Sequence, residues 1–127
     1  MDIIIINVII FIFRMVSEHN KKGKISRKEF IELINKYKNN IETTDHTFFR
    51  LSEKQRKIYT EEKLKNYLLN DEPIEVWVQE NDNYAAFYKF DEQIGRVIKI
   101  IIRISAHKIY IVTFYILNND QRGGLGK

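Results

Sequence analysis

VIKIIIRIS at residues 97–105 and KIYIVTFYIL at residues 108–117, joined by Ala106 and His107, decide the fold. Side chains alternate across a strand, so Ile98, Ile100, Ile102 and Ile104 share one face of the first run. Lys99, Ile101 and Arg103 share the other. Period-two alternation with this density of β-branched residues predicts a strand with one face in a core. In the second run Ile109, Ile111, Thr113, Tyr115 and Leu117 face one way. Lys108, Tyr110, Val112, Phe114 and Ile116 face the other. Neither set is strongly polar, so this strand is expected to be central and covered on both sides. The two-residue link makes the pair a hairpin.

Working upstream, residues 91–95 read as a turn, and residues 84–90 and 74–79 as two further strands joined through Asn81-Asp82-Asn83. Short links favour an antiparallel meander. Before Pro73 the period is helical. Ser26 with Glu29 forms a capping box, and Phe30, Ile31, Leu33, Ile34 and Tyr37 give residues 26–39 an apolar face. The loop ahead of it, residues 19–24, is polar and basic. A second helical stretch is expected from Thr44 or Asp45, placing His46, Arg50 and Lys54 on one stripe. A third starts at Thr60 with Glu61 and Glu62 in its first turn, and buries Leu64, Tyr67 and Leu68. The expected fold is α+β, with N-terminal helices packed on a mostly antiparallel four-stranded sheet.

The chain of 127 residues can bury one modest core, and 44% hydrophobic with 30% charged residues describes a globular domain. Without cysteine there is no disulfide framework, thiol nucleophile or thiolate metal site. The formal net charge is +4, unevenly spread. Residues 17–40 carry seven Lys/Arg against three Glu, and residues 61–90 three Lys against seven acids. Basic ends around an acidic middle permit a nucleic-acid partner without requiring one.

Residues 3–13 are uncharged and apolar except for Asn7. They fall well short of the ~20 residues that a membrane-spanning helix needs. Asp2 ahead of them and Arg14-Met15-Val16 behind do not fit a signal peptide. Three readings are open for residues 1–16: a buried or subunit-bridging strand, an interfacial anchor, or a start of translation that really lies at Met15. Residues 17–117 are expected to form the single domain, followed by a frayed polar tail at 118–127.

The candidate chemistry is narrow. His19, His46 and His107 show no metal-ligand spacing, so neither a metal nor another cofactor is expected. No nucleophile elbow, phosphate-binding loop or dinucleotide fingerprint exists. The remaining His, Arg, Lys and Tyr set suits metal-free RNA cleavage, in which the RNA 2′-hydroxyl attacks the adjacent phosphate.

Thr44-Asp45-His46-Thr47-Phe48-Phe49-Arg50, then Arg56-Lys57-Ile58-Tyr59-Thr60, and finally Ile111-Val112-Thr113-Phe114-Tyr115 form a pattern over residues 43–117. It resembles the RelE/BrnT-like toxin ribonucleases of the barnase–EndoU–colicin–RelE superclass. The resemblance implies a RelE-like fold and a toxin–antitoxin endoribonuclease acting on RNA, including ribosome-bound mRNA, in the cytoplasm. It implies His46 as acid or base, Arg50 and Arg56 as phosphate contacts, Arg103 as transition-state stabiliser and Tyr115 as an RNA-orienting or stacking group. Lys99 is a further candidate for contact with RNA. A cognate antitoxin protein would cover the basic face. The alternative is a non-catalytic binding or structural module of the same fold. A third reading is a membrane-surface protein anchored by residues 3–13.

Overall fold

The computed structural model describes residues 21–49, 51–90 and 94–118. The sequence reading of residues 1–16 and most of the tail reading lie outside these. Along the described chain run β1 (Lys21–Ile25), α1 (Arg27–Lys36), β2 (Ile41–Thr43), α2 (Glu53–Ile58), α3 (Glu61–Asn70), β3 (Glu75–Gln79), β4 (Tyr84–Lys89), β5 (Arg96–Ser105) and β6 (Lys108–Asn118). The six strands form one sheet in the order β1-β3-β4-β5-β6-β2.

This corrects the expected architecture. The sheet has six strands rather than four, is mixed rather than antiparallel throughout, and dominates three short helices. The meander β3-β4-β5-β6 stands as read, because short turns leave it no other route. Two edge strands escaped the pattern. β1 is Lys-Lys-Gly-Lys-Ile, with no apolar alternation; it is held through its backbone against β3, with Ile25 opposite Val76. β2 has three residues and pairs in parallel with β6. The strand at 108–117 is therefore next to an edge rather than central.

The helices follow local chemistry. The side chains of Ser26, Ser52 and Thr60 each accept from a backbone N–H three residues on, at Glu29, Gln55 and Lys63. The stretch expected to be helical from Thr44 is not. Residues 45–49 form turns, and a helix begins only after Ser52, whose capping box with Gln55 fixes the start. The proposed stripe of His46, Arg50 and Lys54 does not exist on one helix.

The main core lies on one face of the sheet. α1 supplies Phe30 and Ile34, and α3 supplies Leu64, Tyr67 and Leu68. They meet Val76, Ala86, Tyr88, Ile98, Ile100, Ile102, Ile109, Ile111 and Phe114 from the strands. The opposite, outer face carries a second cluster of Ala85, Phe87, Val97 and Ile101. Ile101 pairs with Thr113 and Ile102 with Ile111, so Val112 is an extra residue on β6, a β-bulge.

Candidate functional site

The register of β5 on β6 assembles the outer face. Lys99 lies opposite Tyr115, and Arg103 opposite Tyr110. Both pairs place a cation on a ring. The Arg103 guanidinium carbon is 5.0 Å from the Tyr110 centroid. The Lys99 ammonium is 5.7 Å from the ring centroids of both Phe87 and Tyr115. Cations within about 6 Å of an aromatic face are attracted by the ring quadrupole. Arg103 is exposed, Lys99 half-buried, and Tyr115 is 42% exposed. Lys99 and Arg103 thus share one face, as their alternation in sequence required, and Tyr115 joins them because the bulge at Val112 shifts β6 by one residue.

The same face carries two opposite-charge pairs. Lys108 Nζ donates to Glu42 Oε2 at 2.7 Å, and this carboxylate raises the lysine pKa. Lys24 Nζ lies 3.5 Å from Glu75 Oε1 and 5.3 Å from the Trp77 ring centroid. Besides these two pairs, Lys89, Lys99 and Arg103 are the cations that the described residues place on the outer face. Tyr110 and Phe87, which seat the cations, were missed as site residues. The signal was available only as cross-strand partnership, which one strand's sequence does not contain.

The other candidates sit elsewhere. His46 is exposed in the turn after β2, edge-on to Phe49 with centroids 5.9 Å apart and planes at 89°. Phe49 is 68% exposed. Arg56 is a staple: its Nε donates to the Phe48 carbonyl at 3.1 Å and its Nη2 to the Phe49 carbonyl at 3.3 Å. This ties α2 to the turn and commits two guanidinium donors to backbone rather than to phosphate. Arg50 lies outside the described residues. Phe48 packs against Phe114 in the main core, whereas Tyr115, next in sequence, belongs to the outer face. His46 and Arg56 therefore form one group around the turn, and Lys99, Arg103 and Tyr115 another on the sheet.

Thr47, read only as part of the resemblance pattern, has a structural task. It is fully buried, and its hydroxyl donates to the Ile111 carbonyl at 2.7 Å while accepting from the Thr44 N–H at 3.0 Å. Thr44 Oγ1 reaches the Val112 carbonyl at 3.3 Å. The two threonines clasp the β6 edge where β2 ends and the bulge begins. His107, in the β5–β6 turn, lies 5.9 Å from the Tyr37 ring.

Among the described residues no three His, Cys, Asp or Glu side chains are grouped to hold a metal. None of the described helices is long and apolar enough to cross a membrane. A shallow hollow of about 500 Å³ lies at the start of α1, lined by Ser26, Arg27, Lys28, Ile31, Glu32 and Glu72. Two cations and two carboxylates there offset each other and select no ligand charge.

A protein-family comparison matches residues 28–102, more than half of the chain, to the MJ0788 family. The chain belongs to the MJ0788 family. The matched region runs from α1 into β5 and holds His46, Arg56 and Lys99. It stops one residue before Arg103, so β6 with Tyr110 and Tyr115 lies beyond it. The name of the MJ0788 family states no activity and draws no line to the toxin ribonucleases. No curated protein and no solved structure matches the chain.

Proposed function

We propose that this MJ0788-family chain is a cytoplasmic RNA-binding protein that takes single-stranded RNA on the outer face of its sheet. The observation that carries the reading is the pair of cross-strand cation–aromatic contacts, Arg103 on Tyr110 and Lys99 on Tyr115. Single-stranded RNA needs cations for its phosphates and flat rings for its unstacked bases. Tyr115 offers the more open ring, and Arg103 the more exposed cation. A duplex hides its base faces and gains nothing from the rings.

The test is fluorescence anisotropy with labelled single-stranded and duplex RNA of equal length at low salt. The single strand should bind better. Tyr115→Ala should weaken it by about 1–3 kcal/mol, the usual worth of one base–aromatic stack. Equal affinity of Tyr115→Ala, Arg103→Ala and the parent chain would remove the proposal.

One observation favours a second, catalytic reading: His46 stands exposed beside the exposed Phe49. In a metal-free endoribonuclease this imidazole would move the proton of the attacking 2′-hydroxyl, and an antitoxin protein would cover the basic face. Cleavage in the presence of a chelator, leaving cyclic phosphate ends and lost in His46→Ala, would support this reading. RNA that is bound and recovered intact would leave the binding module.

A further inference from the structure

The end of the outer face beside the β5–β6 turn holds a row of side chains across three strands. Arg103 of β5 lies opposite Tyr110 of β6, and Tyr110 opposite Glu42 of β2. Lys108, two residues before Tyr110, falls on the same face and donates to Glu42 Oε2 at 2.7 Å. Ile41, Ile102 and Ile109, which alternate with these residues, belong to the main core, and this fixes the outward direction of the row. Arg103 and Glu42 are exposed, and Tyr110 and Lys108 half-buried.

Cations and rings alone would take any single strand. This row adds a carboxylate, which repels phosphate but can read a base. Lys108 offers only donors and Glu42 only acceptors. Among the described residues their mutual hydrogen bond uses one lysine N–H and one lone pair of Glu42 Oε2. The pair therefore still presents, side by side along the β2 flank of Tyr110, a donor and two acceptor oxygens. Guanine carries the complement on its Watson–Crick edge, where O6 accepts while N1–H and the N2 amino group donate. Adenine would set its N1 lone pair against the carboxylate, cytosine its N3 and O2, and uracil its O2.

We propose that RNA bound on this face is read for guanine at the Arg103–Tyr110–Glu42 row. The inference rests on the single-stranded RNA reading above and names the base that the site selects. The base stacks on the Arg103–Tyr110 layer, as unpaired bases do on aromatic rings and guanidinium planes. Lys108 donates to O6, and Glu42 accepts from N1–H and the N2 amino group. Two strand spacings, roughly 10 Å, separate the Arg103 and Glu42 backbones and leave room for a base above β6. Lys99, opposite Tyr115, stands four residues or roughly 13 Å along β5 from Arg103, so Tyr115 serves a different nucleotide.

The test is fluorescence anisotropy with labelled oligouridines that differ only at one central position, carrying guanine, hypoxanthine, adenine, cytosine or uracil. Guanine should bind about tenfold better than adenine, cytosine or uracil, toward the lower end of what one bidentate base contact gives, because the pair is open to water. Hypoxanthine, which lacks the N2 amino group, should fall between. Glu42→Gln should erase the guanine preference without weakening the all-uridine strand, since it removes a negative charge. Tyr115→Ala should weaken all five strands alike and keep the preference. The base series on the parent chain needs no variant to fold. Equal binding of the five strands, or a guanine preference that survives Glu42→Gln, would overturn the inference and leave the RNA-binding reading standing. Binding of none of the strands would overturn both.

Discussion

Tyr88 has a buried side chain that works against the fold. It is 1% exposed, its ring 5.7 Å from that of Tyr67, and its hydroxyl is enclosed without a hydrogen-bond partner among the described residues. Burial, with Asp71 nearby, pushes the phenol far above its ordinary range, so it stays neutral. An unmatched buried hydroxyl costs about 1–3 kcal/mol. Tyr88→Phe keeps the ring and removes the cost, so urea unfolding should show equal or greater stability, by up to about 1 kcal/mol. Thr47 is the opposite case. Thr47→Val keeps the shape but removes the donor to Ile111 and the acceptor for Thr44, and should lose about 1–2 kcal/mol. Sequence alone cannot separate the two. A tyrosine in an apolar strand and a threonine in a polar turn look equally ordinary until their partners are known.

The β5–β6 turn is strained at the level of one element. Ala106 and His107 have φ of 53° and 65°, the left-handed pair of a type I′ hairpin. That turn matches the twist of the strands but favours Gly or Asn over Ala. Ala106→Gly should therefore stabilise by about 0.5–1 kcal/mol in the same unfolding measurement. A second tie holds α3 to the edge strand. The Thr43 hydroxyl donates to Glu61 Oε1 at 2.9 Å, and Lys65 Nζ lies 2.9 Å from Glu61 Oε2. The Lys65 and Thr43 hydrogen bonds lower the Glu61 pKa. A depressed folded value stabilises above the unfolded value, which is 4.5 for this group, and the stability is lost as pH falls through the folded value. Glu61→Gln should thus melt below the parent chain at neutral pH, with the two curves converging in acid. The hairpin was legible because ten-residue alternation is a strong signal. β2 was not, since three residues carry no period. The false helix at Thr44 arose because Thr and Asp cap helices and also close turns.

Across the whole molecule the meander was readable because each link was short, whereas the edge strands join through backbone contacts that leave no mark in side-chain order. The same limit hid most of the candidate site: Lys99 and Arg103 could be placed on one face, but not Tyr110 and Phe87 beneath the cations, nor the bulge that turns Tyr115 toward them. The outer face also fixes how binding should respond to salt. Lys24 is set against Glu75 and Lys108 against Glu42, and among the described residues Lys89, Lys99 and Arg103 are the further cations of this face. Each phosphate neutralised on a single strand contributes about −0.7 to the slope of log K against log salt, so three cations give a slope near −2. Arg103→Ala should flatten that slope by about 0.7, whereas Tyr115→Ala should weaken binding at every salt concentration and leave the slope unchanged. Titrations with single-stranded RNA from about 50 to 200 mM salt would read both terms. A flat profile would mean that the bound strand does not lie along these cations, and a slope lost with Arg56→Ala instead would move the phosphate path to the turn of residues 45–49.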